Sequence, residues 1–341
     1  MPRLLSLAAF CLALAACDAG APVPQADARP GAVRAADEPR PRADPRIRPP
    51  QARRLKVRYG PATDGRQDVE VFVPEGFGPF PVVVLLHGGG FTAGSRDGMA
   101  SLARTFQAHG VIGVAPSYRL SPDPPEPDNA DRIRHPAHTD DAATVVRWVV
   151  DHRAELRADG DAIVLLGHSS GSTMATLLAF APGYLDRAGV DRGRIAGVLR
   201  IDGHTSDVAD LVPREQPYDN AGVISTFGPD RDVLYPPIVD TDSDGQPVYG
   251  PPSEINVSPW YEVTDSADLP PAFIASGSAP DRAFHSTRLH ERLLQYGHAS
   301  TLWPTGLDHG RMLGALRRPE TFEERIYQTA VLDFVMGRAH R

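Results

Sequence analysis

Short apolar runs recur along the chain from residue 55 onward, and polar, glycine- or proline-bearing stretches separate them. LKVRY (55–59) and VEVFVP (69–74) alternate apolar and polar side chains. That period of two predicts half-buried strands, here an antiparallel start. VVVLL (82–86) is apolar throughout, as expected for a strand covered on both faces. VIGVAP (111–116), AIVLL (162–166) and IAGVLRI (195–201) repeat that pattern, and AFIAS (272–276) and STLWP (300–304) follow. Between them the spacing changes toward a helical period. Ala142, Val145, Val146 and Val149 form one stripe over 139–151, and further helices are predicted around 284–296 and 321–337. Strand and helix in alternation predict one α/β domain over 53–341, with a mostly parallel central sheet and helices on both faces. The stretch from about 204 to 262 breaks the rhythm. It is rich in Pro, Asp and Gly and reads as a loop-rich insertion that could cover a pocket.

The N-terminus follows a different logic. Arg3 precedes an apolar run from Leu4 to Ala16, too short to cross a bilayer as a mature helix. It reads as a secretory signal. Its end, Leu14-Ala15-Ala16-Cys17, resembles a bacterial lipobox. Such signals are cut before the cysteine, and the cysteine then carries lipid. The expectation is a signal peptide over 1–16 and a lipid-anchored Cys17, since two or more acyl chains hold stably to a membrane. Residues 17–52 are rich in Pro, Ala and Arg without an apolar period, which predicts a disordered tether. The domain over 53–341 would then sit in the cell envelope, facing the periplasm or the cell exterior.

Composition narrows the function classes. The net charge of −8 argues against nucleic acid as a partner. Cys11 and Cys17 are the only cysteines, so the body of the chain has neither a disulfide framework nor a cysteine metal site.

Two segments carry chemistry. Gly167-His168-Ser169-Ser170-Gly171 satisfies G-x-S-x-G with Ser169 at the centre; Ser170 does not satisfy it. AIVLL runs into the motif and STMATLLAF, rich in helix formers, leaves it. That context makes Ser169 the candidate nucleophile on a strained strand-to-helix turn. Ser170, the next residue, would offer its backbone N–H to an oxyanion. His87-Gly88-Gly89-Gly90 directly follows VVVLL. A glycine run after a strand leaves backbone N–H groups open to a ligand, and in acyl transfer these meet the developing negative oxygen. A phosphate loop would place Lys-Ser/Thr after the glycines, but Phe91-Thr92-Ala93 follows.

HGGGF, VAPSYRLSP, DDAATVVRWV and GHSSG, in that order, resemble the α/β-hydrolase esterases of the hormone-sensitive lipase and carboxylesterase type. The resemblance covers roughly residues 68–340. His168 before the serine keeps feruloyl and acetyl-xylan esterase-like and kynurenine formamidase-like enzymes open. The resemblance implies an α/β-hydrolase fold and a serine hydrolase of carboxylic esters working through an acyl-enzyme. It implies Gly89, Gly90 and Ser170 as oxyanion donors. The order Ser, acid, His places the base at His309 in GLDHGRM. It places the acid after AFIAS, in GSAPDRAF, where Asp281 is the candidate. Asp202, at the end of IAGVLRID, is the rival; Asp308 is discounted because neighbouring side chains diverge. An amidase or peptidase of the same fold, and a non-catalytic binding protein on a hydrolase scaffold, are the alternatives. The expected partner is a small-molecule ester, with no cofactor. Asp240 to Gly245 matches half of an EF-hand loop, but the twelfth position is Pro251, so no metal is assigned.

Overall fold

The computed structural model describes residues 48–204, 206–207, 221–229, 238–241, 243, 247–249, 256–265 and 267–338. The expected signal peptide, Cys17 and most of the tether lie outside these residues, as does much of the acidic run 240–245. Among the described residues no helix is long and apolar enough to cross a membrane, and no three His, Cys, Asp or Glu side chains cluster as metal ligands.

Eight strands form the central sheet. They are β1 (Arg53–Arg58), β2 (Asp68–Val73), β3 (Phe80–Leu86), β4 (Ile112–Pro116), β5 (Ala158–His168), β6 (Ile195–Ile201), β9 (Ala272–Ser276) and β10 (Ser300–Pro304). Each contains or overlaps one of the eight apolar runs. Their spatial order is β1-β2-β4-β3-β5-β6-β9-β10. β2 pairs antiparallel with both β1 and β4; the pairings from β4 through β10 are parallel. A separate hairpin, β7 (Ile238–Thr241) with β8 (Pro247–Tyr249), belongs to the insertion.

Alternate residues of β3 feed two cores, because successive strand side chains point to opposite faces. Val82, Val84 and Leu86 join a cluster with α2 (Ala137–Asp151), α4 (Ser170–Phe180), α5 (Pro182–Arg187) and α7 (Pro280–Gln295). Val83 and Leu85 join the opposite cluster with α1 (Asp97–Ala108), α8 (His309–Arg317) and α9 (Phe322–Met336). A short helix, α3 (Arg153–Leu156), leads into β5, and α6 (Ala221–Phe227) is the helix of the insertion. Val82 through Leu86 are wholly inaccessible, and burying such side chains supplies roughly 1.5–3 kcal/mol each. The carboxyl ends of parallel strands form the crevice where such sheets bind ligands. Here the segments leaving β3, β5, β6 and β10 carry the glycine loop, Ser169, Asp202 and His309.

One helix starts earlier than expected, and another was not expected. The predicted 284–296 helix begins earlier, at Pro280, which suits a first helical position because its missing N–H costs nothing there. Asp281 is therefore held in the first turn of α7 and is not in a mobile loop. α8 begins at His309, capped by Asp308, whose side chain accepts from the Arg311 N–H at 2.8 Å. That bond occupies Asp308.

Candidate active site

Ser169 stands between β5 and α4 with φ 55° and ψ −125°, a conformation costly for any residue with a Cβ. Close packing holds it there. A side chain at Gly167 would overlap the Gly171 carbonyl, and one at Gly171 would overlap the Leu86 carbonyl. The two motif glycines thus let the helix start press against both strands. The Ser169 N–H donates to the Ile201 carbonyl at 3.1 Å, which ties the turn to the end of β6.

The glycine loop approaches from β3. A Cβ on Gly88 would lie 2.8 Å from that of Ser169, so only glycine permits this approach. Gly89 and Gly90 have φ of 122° and 62°. Among the described residues no hydrogen bond consumes the N–H of Gly89, Gly90 or Ser170. His87 anchors the loop. Its ring stacks on Tyr118 at 4.0 Å and 9°, the Tyr118 phenol donates to its carbonyl at 2.8 Å, and Nδ1 lies 2.8 Å from the Gly88 carbonyl. Arg119, next in VAPSYRLSP, makes a bidentate pair with buried Asp141 of DDAATVVRWV, with contacts of 2.7–3.1 Å. That pair ties the segment after β4 to α2.

The geometry does not bring the expected acid to His309. Asp281 does not meet His309. Its carboxylate is 3.4 Å from His204 and largely exposed, because Pro280 starts a helix that carries it outward. Asp202 meets His309 instead, with Oδ2 2.5 Å from Nδ1. Asp202 lies one residue past β6 with φ 44° and is inaccessible to solvent. Its Oδ1 accepts the Gly277 N–H at 2.7 Å. Burial alone would raise its pKa. Hydrogen bonds from His309 and Gly277, with the charges of His309 and Arg282, outweigh burial and hold the carboxyl below its usual value. The pair leaves His309 Nε2 as the free ring nitrogen. Ser169 and His309 line one cleft without a hydrogen bond between them, together with Gly88, Gly89 and Gly90. Long contacts of this kind tighten when substrate binds.

His168 has a place the motif alone did not reveal. Its Nε2 lies 3.0 Å from the His309 carbonyl, and the two rings stack at 4.4 Å. Burial first, then the neighbouring His309, lowers its pKa to about 4, so it is neutral near pH 7 and donates from Nε2. His87 is likewise held at about 4 and His138 at about 3, chiefly by burial. An unfolded chain takes up these three protons as pH falls through 6.5, the folded chain only near 3–4. The folded state therefore loses stability on acidification across that window. Glu262 acts oppositely: burial raises it to about 7 from 4.5, and its contribution disappears as pH rises through that range. Three groups oppose one, so the melting temperature should fall steadily from pH 6.5 to 4.5. Circular dichroism melts at half-unit intervals check this; a flat or rising curve contradicts it.

A second cleft wall, enclosing about 410 Å³, extends from Ser169, Ser170 and Gly90. Phe91, Pro122, Pro125 and Phe227 make it largely apolar, and His204 and Arg282 add polar groups to the lining. Phe227 belongs to α6, so the described part of the insertion does line the pocket. Sequence reading passed over Arg282 because an arginine beside a sought-for aspartate carries no motif of its own.

Comparisons agree with this architecture. A model of the BD-FAE family matches residues 69–229. The chain is 36% identical over 123 residues to carboxylesterase NlhH of Mycobacterium tuberculosis, covering 34% of this chain and 35% of that protein. It is 35% identical over 98 residues to an ethyl acetate hydrolase of Pseudomonas putida, covering 28% of each. The matched segments thus span about a third of those curated relatives. Esterase B from Lactobacillus rhamnosis superposes over 86% of this chain and 88% of that one, with a TM-score of 0.64 at 18% identity. The likeness in backbone, together with the eight-stranded, mostly parallel sheet, gives this chain the α/β-hydrolase fold.

Proposed function

We propose that the chain hydrolyses carboxylic esters of small molecules through an acyl-enzyme on Ser169, with His309 as base and Asp202 as acid. One observation carries this reading. A strained serine, open backbone amides and an aspartate-held imidazole border the same cleft. Ester hydrolysis is also what the names of the matched NlhH and ethyl acetate hydrolase state.

The steps follow from the groups. His309 Nε2 takes the Ser169 proton as Oγ bonds to the ester carbonyl carbon. The carbonyl oxygen becomes negative and meets the N–H groups of Gly89, Gly90 and Ser170, each worth roughly 10²–10³ in turnover in comparable sites. The C–O bond to the alcohol breaks, and His309 returns the proton to the departing oxygen. Water then adds to the acyl carbon, giving its proton to His309. Ser169 departs reprotonated, and the carboxylic acid leaves. Asp202 holds the imidazole tautomer and stabilises its transient charge.

The test is a panel of 4-nitrophenyl esters from acetyl to long-chain, with feruloyl and acetyl-sugar esters and a matching anilide. Turnover of esters in preference to the anilide supports the proposal. Anilide turnover without ester turnover would point to an amidase. No turnover, with no labelling by a serine-directed fluorophosphonate, would leave a binding protein on a hydrolase scaffold.

A further inference from the structure

The charges around Asp202 do not balance among the described residues. Arg282 places Nε 3.8 Å from Asp202 Oδ2 and donates from a second nitrogen to the Asp202 carbonyl at 2.8 Å. Arg200, two residues earlier on β6, is wholly buried beneath the same turn. Its guanidinium lies 2.6 Å from where a Gly203 side chain would begin, and it donates to the His204 carbonyl at 2.5 Å. Its Nε and one terminal nitrogen have no hydrogen-bond partner. Burial, and then the charge of Arg282, pull its pKa down to about 10, while Asp202 alone opposes them. One carboxylate, already shared with His309, thus faces two guanidiniums.

The surplus positive charge reaches the cleft at Arg282, which is about one-fifth exposed and forms part of the wall beside Ser169. Two further features agree. Arg282 sits in the first turn of a 16-residue helix, whose N-terminal end is itself positive and has no side-chain cap. A cation there works against the helix, so helix stability does not account for it. Asp281, on the same turn, faces His204 and is not part of the cleft wall. The same cleft has an apolar lining that includes Phe91, Pro122 and Phe227.

We propose that Arg282 makes this cleft selective for esters that carry a carboxylate, which its guanidinium binds while the apolar remainder lies against Phe91, Pro122 and Phe227. The inference rests on the esterase reading and adds the substrate class. The carboxylate can sit on the acyl or the alcohol side of the scissile bond; both present the same charge-assisted hydrogen bonds to arginine.

Two matched pairs test it. Mono-4-nitrophenyl adipate against 4-nitrophenyl hexanoate places the charge on the acyl side. 4-Acetoxybenzoate against 4-acetoxybenzamide places it on the alcohol side. The wild-type chain should favour the acidic member of one pair by about tenfold or more in kcat/KM, mainly through KM. Arg282→Gln should erase that ratio, and Arg282→Lys should keep part of it. Loss of the Asp202 carbonyl contact would slow both members of a pair alike, so the ratio isolates recognition. A wild-type ratio at or below one in both pairs overturns the inference. So does an Arg282→Gln variant that lowers both members equally. If none of the four esters is turned over and fluorophosphonate does not label Ser169, the esterase reading fails and this inference falls with it.

Discussion

Ser169→Ala should lower turnover of 4-nitrophenyl butyrate by about 10⁴-fold or more, while Ser170→Ala retains most of it. The two residues are neighbours, yet the chain uses them differently. Ser169 occupies the strained point of the turn at φ 55° and lines both cleft regions. Ser170 opens α4, and its hydroxyl is buried beside the Tyr118 phenol, which keeps its own bond to the His87 carbonyl when that hydroxyl is removed. Removing that hydroxyl strands no donor or acceptor, and its N–H, the group facing the oxyanion in the mechanism above, survives the change to alanine. Without Ser169 Oγ no acyl-enzyme can form, and only the oxyanion donors and binding remain to assist water. Mass spectrometry after fluorophosphonate treatment gives a second readout, with the adduct present in Ser170→Ala and missing in Ser169→Ala. Equal losses in both variants, or an adduct on Ser169→Ala, would refute the assignment.

Asp202→Asn should cost about 10⁴-fold in kcat, the scale seen when a serine protease triad loses the charge of its aspartate. Asp281→Asn should stay within a few-fold of wild type. The asymmetry comes from burial and bonding. Asp202 is inaccessible, accepts Gly277 N–H at 2.7 Å and holds His309 Nδ1 at 2.5 Å. An asparagine can fill the same space, but it neither fixes the productive tautomer nor stabilises an imidazolium. Asp281 is more than half exposed, and its nearest ionisable partner is His204. Steady-state kinetics on variants with matching melting curves decide between the two. A larger loss at Asp281 would restore it as the acid.

Much of this arrangement was readable in the sequence. The eight runs mark all eight strands of the sheet: the inner strands are buried on both faces and cannot hide their composition, while β1 shows the period of two of a half-exposed edge. Ser169 and the glycine loop were readable because each needs a local backbone solution that leaves a local signature; His309 came from the chain order of the family that these motifs resemble. The acid needs no such signature. Any carboxylate that reaches the imidazole suffices, and reach depends on where Pro280 starts a helix and on β6 lying between β5 and β9. One clue was present: Asp202 directly follows a strand that is apolar but for Arg200, where a carboxylate without a partner has no structural reason to be. Arg282 was invisible for a similar reason, since its importance comes from what it faces across the fold.

The bonds that set the span between serine and aspartate are made by main-chain atoms. Ser169 N–H reaches the Ile201 carbonyl, and Asp202 N–H reaches the Ala275 carbonyl at 2.8 Å, continuing the ladder from β5 through β6 to β9. Such bonds are indifferent to side-chain identity. Residues of the core can be exchanged over long lineages while the spacing of the reactive groups passes on unchanged. What is inherited at this site is a distance, and the backbone is its carrier.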